Sequence, residues 1–173
     1  MFKVGGVRRD IENSKIPVIR KAMADVKKKT DLLTGAVMDD PVIHARTKGV
    51  GVLTRQDVID FAAVGPTARA SGVAIDIRKD DPYAAYPLVN WKVITAREGD
   101  VFAKAQVRLL EMYESVSIIE QCLDGLLKEK EGETEVTVKN IPAGFGTVRA
   151  QAPRGEVFHF VVSEGSNTPA RHK

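Results

Sequence analysis

Two short segments contain most of the residues that could take part in chemistry. The first places an aspartate between two arginines, as Arg69, Asp76 and Arg78, and continues to Tyr83 and Tyr86. An acid between two guanidinium groups is typical of an ion pair that holds a loop, because the planar guanidinium binds a carboxylate through two hydrogen bonds. We therefore expect these charged side chains to position the loop rather than to react.

The second segment is Gln151-Ala152-Pro153-Arg154-Gly155-Glu156. Proline and glycine occupy the second and fourth positions of Ala152–Gly155, which are the preferences of a type I turn. The residues on both sides are typical of strands. Taken alone, Arg154 at the tip of such a turn indicates a surface cation.

Other sites are not indicated by residue spacing. The histidines His44, His159 and His172 are too far apart in the chain to predict a metal site. The loop glycines Gly49-Val50-Gly51 and Gly144-Phe145-Gly146 lack the following helix of a dinucleotide-binding motif. We predict neither a bound metal nor a nucleotide.

Positive charge is concentrated at the start of the chain. The first 30 residues contain nine lysines and arginines against three acids, and Phe2 is their single aromatic residue, so a set of rings to stack on bases is missing. We interpret them as a solvated helix face and predict no nucleic-acid partner. No apolar run approaches the roughly 18 residues of a membrane-spanning helix, so none is predicted.

Two long helices should support the chemical segments. Ser14 to Leu33 has helical spacing, with Ser14 as the N-cap and Gly35 as the stop. Asp100 to Leu127 carries an apolar residue at every third or fourth position for about 26 residues, or roughly 40 Å. The residues of this stripe are Val101, Ala105, Leu109, Met112, Val116, Ile119, Leu123 and Leu126.

The stripe exceeds what the other predicted helices can cover. We therefore expect exposed apolar surface and self-association. Cys122, the only cysteine, lies beside the stripe and is predicted to be a buried structural thiol.

Shorter elements are predicted between and after these helices. A loop carries Asp39-Asp40-Pro41, and Thr54 and Asp57 form a capping box that opens a short helix. Gly65-Pro66 is predicted to end that helix.

After Gly132 the sequence favours strands around Val136 and Val138, at 147–151 and at 156–163. The expected fold is α+β: a single domain over 1–173, with a long central helix, shorter helices and a small antiparallel sheet in the C-terminal part.

Three motifs of this sequence resemble those of one known family. They are 65–72 with its continuation through Asp76-Ile77-Arg78 to 82–86, then 151–156, and finally Ser163-Glu164-Gly165-Ser166-Asn167-Thr168-Pro169. They resemble the large subunit of membrane-associated nickel-iron hydrogenases and the related 49 kDa-type subunit of respiratory complex I. The residues at the motif positions are closer to those of the energy-converting hydrogenases. The resemblance implies an oxidoreductase that is peripheral on the cytoplasmic face of a membrane. Its partners would be a small iron-sulfur subunit and membrane subunits.

The resemblance also implies that the chain is an interior part of a larger subunit. Hydrogenases of this family bind nickel and iron through two Cys-x-x-Cys pairs, which one cysteine cannot supply. The chain by itself is therefore expected to be inactive and to hold no cofactor. Two alternatives stay open: a quinone-side subunit of a complex I-like dehydrogenase without nickel, and a stand-alone scaffold or assembly protein.

Residue roles follow only from this resemblance. Arg154 would stand over the vacant face of the nickel-iron centre as an acid-base and electrostatic group, and Pro153 would line the cavity. Arg69, Asp76 and Arg78 would position the neighbouring loop, and Tyr83 and Tyr86 would seal it. Position 151 is glutamine in this chain, Gln151, whereas many members of the family have glutamate there. Complex I relatives keep the same turn without metal.

Overall fold

The described part of the chain folds into two long α-helices, four short α-helices and two small antiparallel sheets. The computed structural model describes residues 2–130 and 132–173. The helices are α1 Ile16–Asp39, α2 Pro41–Thr47, α3 Arg55–Asp60, α4 Gly65–Arg69, α5 Ile77–Asp80 and α6 Val101–Leu126. The strands are β1 Phe2–Lys3, β2 Gly6–Val7, β3 Ala143–Ala152, β4 Gly155–Glu164 and β5 Arg171–His172. The predicted α+β class, with a long helix and a small antiparallel sheet, is confirmed.

Helix α1 starts and ends later than the sequence predicts. Ser14 is not its N-cap, since a 3₁₀ turn over Asn13–Lys15 precedes it and no side chain caps the first turn. The helix continues through Gly35, because glycine lowers helix stability without breaking the helix. A Cβ atom added at Gly35 would meet no atom within 4 Å outside the backbone of the helix itself. The helix ends at Asp39, and the C-cap residue Asp40 has an extended backbone, which is favoured before a proline. Asp40 then caps α2, a helix in a segment that was predicted to be a loop.

The capping box at Thr54 and Asp57 is confirmed, but the helix that it opens is shorter than predicted. Helix α3 ends at Asp60, and Ala62 follows with φ of 49°. Gly65-Pro66 does not end a helix; it begins α4, because proline is well suited to the first turn. This correction matters for the site, since Arg69 is the last residue of α4.

The long helix is confirmed, although its buried face is only partly the predicted stripe. Val116 and Leu123 of the stripe are buried, together with Ala103 and Val107, which lie outside it. Small side chains face the neighbouring helix here: Ala103 and Val107 form a core cluster with Ala70, just after α4. Three further large residues of the stripe are exposed at the surface: Val101, Met112 and Ile119.

Helices α1 and α6 pack antiparallel. Arg20, near the start of α1, donates hydrogen bonds to Glu120 and Asp124 near the end of α6, at 2.6 and 2.5 Å. Farther along, the Tyr113 hydroxyl donates to Asp31 at 2.9 Å. The lysines of α1 at positions 21 and 27–29 are exposed, as expected for a solvated face.

The C-terminal sheet has the order β3-β4-β5 and is antiparallel throughout. Its two main strands are longer than predicted. No strand forms at Val136 and Val138, where an isolated bridge joins Gly6 to Glu135 instead. The β1–β2 pair was not predicted because each strand has only two residues.

No helix within residues 2–130 and 132–173 is both long and apolar enough to span a membrane.

Candidate functional site: a turn docked on a buried arginine cluster

Four charged side chains form a buried network, which we call the arginine cluster: Arg69, Asp76, Arg78 and Glu111. Arg69 and Asp76 are each only 1% exposed. Arg69 Nε donates to Glu111 Oε1 at 2.6 Å, and Arg69 Nη1 lies 3.2 Å from Asp76 Oδ2. Arg78 donates to both oxygens of Asp76, at 2.8 and 2.6 Å. The predicted ion pairing is therefore present, and each buried charge has a partner of opposite sign.

The arginines keep Asp76 ionised despite its burial. Burial alone would raise the pKa of its carboxyl group, but the hydrogen bonds and positive charge of Arg78, with a contribution from Arg69, lower the pKa below its ordinary value. Asp76 is also the N-cap of α5, where its carboxylate accepts the Arg78 backbone N–H at 3.1 Å. One side chain thus links α4 and α5.

Aromatic rings cover the outer side of Arg78. Its guanidinium carbon lies 4.5 Å from the centre of the Trp91 ring and 5.6 Å from that of Tyr86. Tyr83 and Tyr86 contact edge to face, with ring centres 5.1 Å apart. Burial, followed by the neighbouring Tyr83, raises the pKa of Tyr86 above its ordinary value. Like an ordinary tyrosine, Tyr86 is protonated at neutral pH and has a hydroxyl that can donate.

The Pro153-Arg154 turn packs directly on the start of α4. Gly65 has φ of +73°, and a Cβ atom there would lie 2.3 Å from the carbonyl oxygen of Arg154 and 2.5 Å from Gly155 Cα. Only glycine allows this approach. Ala152 pairs with Gly155 across the hairpin, and neither turn residue has a positive φ, as a type I turn requires. Gly65 and Gly155, which are 90 residues apart in sequence, therefore meet.

A cavity of about 250 Å³ lies where they meet, and we call it the turn cavity. It brings together most of the predicted site residues. Its lining includes Arg69, Arg78, Tyr86, Glu111, Gln151 and Pro153.

A second, larger cavity of about 590 Å³ adjoins it and is lined mainly by apolar side chains; we call it the tyrosine cavity. Tyr86 and Gln151 line both cavities. The Tyr83 hydroxyl accepts the Gln151 backbone N–H at 3.0 Å, so this tyrosine ties the cavity wall to β3. Cys122 is half-buried and lines this cavity, so the prediction of a buried thiol is wrong.

Arg154 lies outside the lining of both cavities and is exposed at the turn tip. It has no ion pair with any residue in the described ranges. Its role in chemistry stays a prediction.

Glu111 and Trp91 belong to the site but were not predicted from the sequence. Glu111 lies 42 residues after Arg69 in sequence. Nothing near Glu111 in the sequence indicated this partner, because an acid is common on a long amphipathic helix. Trp91, the only tryptophan, is 6% exposed. A lone tryptophan was a usable signal, because its large ring can cover a guanidinium group, as it does for Arg78.

The residues of this chain do not fit a nickel-iron centre. A four-thiolate centre needs four cysteines, and Cys122 is the only one. Within residues 2–130 and 132–173 there is no group of three or more histidine, cysteine or acidic side chains that could hold an ion.

Comparison with known proteins identifies the family. Residues 1–141 match the model of the respiratory-chain NADH dehydrogenase 49 kDa subunit. The chain is 39% identical to a subunit of the F(420)H(2) dehydrogenase of Methanosarcina mazei, over 99% of this chain and 48% of that protein. It is 35% identical to a subunit of the NADH-quinone oxidoreductase of Herpetosiphon aurantiacus, over 99% of this chain and 47% of that protein. A carbon monoxide-induced hydrogenase of Rhodospirillum rubrum is 38% identical over 78% of this chain and 37% of that protein.

The fold matches as well. A chain of an archaeal respiratory membrane complex, the membrane-bound sulfane sulfur reductase, superimposes with a TM-score of 0.89 at 31% identity, over 98% of this chain and 47% of that one. The chain therefore spans about half the length of these relatives. The predicted relation to complex I-like oxidoreductases is confirmed, whereas the narrower prediction of a hydrogenase large subunit is not decided by these relatives. The chain belongs to the family of the 49 kDa subunit of the respiratory-chain NADH dehydrogenase.

Proposed function

We propose that this chain is part of a quinone-side subunit of a membrane-bound, complex I-like oxidoreductase. The observation that carries the proposal is the pair of adjoining cavities, one apolar and one charged, which share Tyr86 and Gln151. The family membership supports the reaction class. The sequence left a quinone-side subunit open as the alternative to a hydrogenase. The relatives favour the quinone-side subunit, because several of them are NADH-quinone oxidoreductase subunits.

The two cavities suit the two chemical parts of a quinone. A ring with an apolar tail needs an apolar cavity of a few hundred cubic ångströms, and its carbonyl oxygens need a small number of hydrogen-bond donors. The tyrosine cavity offers the apolar volume, with Phe2, Ile118 and Val89 in its lining. At the boundary, Tyr86 lines both cavities and supplies a hydroxyl that is protonated at neutral pH.

In this mechanism the chain binds and orients the quinone, and it holds positive charge near one of the quinone's carbonyl oxygens. Tyr86 donates a hydrogen bond to a quinone oxygen, and Arg78, held by Asp76, stabilises negative charge that develops there on reduction. Electrons come from outside this chain. The Gly65 contact with the turn fixes the distance between the arginine cluster and the cavity wall.

Trp91 gives a direct test, because it is the only tryptophan and lies 6.0 Å from the Tyr86 ring. A short-chain quinone should quench its fluorescence saturably. Tyr86→Phe should weaken binding about 2- to 10-fold, the equivalent of one hydrogen bond. Tyr113→Phe, on the α1–α6 side, is the matched control and should bind like the wild type. Unsaturable quenching that is equal in all three proteins would contradict the proposal.

A nickel-iron hydrogenase is the second candidate, favoured by the carbon monoxide-induced hydrogenase among the relatives. It requires four thiolates from another part of the subunit. Nickel analysis of the purified whole complex, after a chelator has removed exchangeable ions, separates the two candidates. Under the hydrogenase hypothesis, Arg154→Lys should reduce hydrogen turnover per nickel by on the order of 10² to 10³ while nickel content is retained.

We also propose that the chain forms an interior part of a longer subunit and assembles with a small iron-sulfur subunit and membrane subunits on the cytoplasmic face. The half-length coverage of its relatives supports this. So does the Trp91 indole nitrogen, which is buried without a hydrogen-bond partner among the described residues. Isolation of the complex with a tagged copy of the chain, followed by mass spectrometry, tests the proposal. Recovery of the chain free of iron-sulfur and membrane proteins would contradict it.

A further inference from the structure

Two of the three histidines lie side by side on the C-terminal sheet, away from the cavities. His159 Nδ1, on β4, and His172 Nε2, on β5, share a hydrogen bond of 3.0 Å, which a bound ion would replace. Their rings are nearly parallel, with centres 5.2 Å apart and 26° between the planes. The spacing of 13 residues in sequence gives no metal-ligand pattern, so strand pairing alone creates this arrangement.

The register of the sheet holds the pair in place. His172 is opposite Val161, so His159, two residues before Val161, lies on the same face as its diagonal neighbour. Between them, Phe160 and Lys173 exchange two backbone hydrogen bonds of 2.9 Å each. The backbone positions of both histidines are thus fixed before any ligand arrives.

The distance between the two nitrogens fits one class of metal geometry. Nitrogens bound at about 2.1 Å lie about 3.0 Å apart when they are adjacent in a square-planar or octahedral site, and about 3.4 Å apart in a tetrahedral one. Tetragonal sites with nitrogen and oxygen ligands are typical of copper(II) and nickel(II), and imidazole suits both ions.

We propose that His159 and His172 form a two-histidine site for a copper(II) or nickel(II) ion, with water at the remaining positions. Each imidazole binds as the neutral tautomer, with its hydrogen on the nitrogen farther from the ion. The described ranges offer no third histidine, cysteine or acid to complete the site, so the ion is exchangeable. This site is separate from the proposed quinone cavity and does not depend on it.

Titration calorimetry with nickel(II), on protein freed of any histidine tag, tests the proposal. The wild type and His44→Ala should each bind one nickel(II) ion per chain, because His44 lies on α2 and contacts Phe102 of α6, outside the C-terminal sheet. His159→Ala and His172→Ala should each lose that binding. Zinc(II) should bind more weakly than nickel(II). Equal binding by all four proteins, or tighter binding of zinc(II), would overturn the site or its geometry.

A second measurement avoids the variants altogether. In wild-type protein, paramagnetic nickel(II) should broaden the ring NMR signals of His159 and His172 well before those of His44. Simultaneous broadening of all three histidines would mean that the pair is only a hydrogen-bonded contact, and the proposal would be wrong.

Discussion

Asp76 holds two guanidinium groups at once, so its removal leaves more than one charge without a partner. In Asp76→Asn, Arg69 keeps only Glu111 as a charged partner, and Arg78 keeps none within the described residues. Breaking a buried ion pair typically costs about 3 to 5 kcal/mol, so we expect a loss of unfolding free energy in that range. Urea unfolding measures it.

The matched control for this variant is Asp81→Asn, the same chemical change in an exposed ion pair with Arg149. Such pairs contribute less than about 1 kcal/mol. Equal losses in the two variants would mean that the arginine cluster does not stabilise the fold.

The lowered pKa of Asp76 also makes stability depend on pH. A carboxyl group whose pKa is lower in the folded state stabilises the fold above its unfolded-state pKa, about 3.9 for aspartate. That contribution is lost as the pH falls through the lower pKa of the folded state. We expect the unfolding free energy of the wild type to fall more steeply below about pH 4 than that of Asp76→Asn. Parallel curves for the two proteins would exclude Asp76 as the source.

Among the elements, α6 depends on one cap. The Asp100 carboxylate accepts the backbone N–H groups of Ala103 and Gly49, at 2.7 and 2.8 Å. Asp100→Ala removes both acceptors and should cost about 2 kcal/mol. Asp100→Asn keeps one oxygen that can accept the Ala103 N–H but has no second acceptor for the Gly49 N–H. The loss of stability in this variant should therefore be intermediate. Thermal unfolding of the three proteins gives the order, and a loss in Asp100→Asn as large as in Asp100→Ala would contradict it.

Glycine has opposite effects in two other elements. Gly65→Ala introduces a Cβ atom 2.3 Å from the Arg154 carbonyl oxygen at φ of +73°, so the turn must move away from α4. We expect a loss of at least about 2 kcal/mol, with faster amide exchange in the hairpin. Gly35→Ala, within α1 and with nothing within 4 Å, should instead stabilise the helix by up to about 1 kcal/mol. A stable Gly65→Ala with unchanged exchange would mean that the turn is not docked there.

The elements that sequence predicted well are those with a local cause. The capping box at Thr54 and the helix beginning at Asp100 follow from side chains within one turn. Gly65-Pro66 was wrongly predicted to be a helix stop because its role depends on Gly155, which is 90 residues away and packs against it. Glu111 and the His159–His172 pair were missed for the same reason: only tertiary contacts bring their partners close.

At the scale of the whole molecule, the exposed apolar side chains are the feature to explain. Leu88 is 84% exposed, Phe145 80% and Leu32 75%, on a 3₁₀ turn, a strand and a helix that lie far apart in sequence. Single exposed apolar residues are normal, but several large ones mark surfaces that another chain or segment covers. Relatives of about twice the length are consistent with such a segment.

We therefore expect the isolated chain to self-associate as its concentration rises, as the apolar stripe also predicted. The triple variant Leu32→Gln, Leu88→Gln and Phe145→Gln should reduce association, measured by light scattering, and reduce binding of a hydrophobic dye. Its unfolding free energy should change little, because each exposed substitution contributes within about 0.5 kcal/mol. Val107→Gln, a polar substitution at a fully buried core position, is the contrasting variant and should destabilise the fold strongly. A wild-type chain that stays monomeric at every concentration and binds no dye would show that these side chains cover no interface.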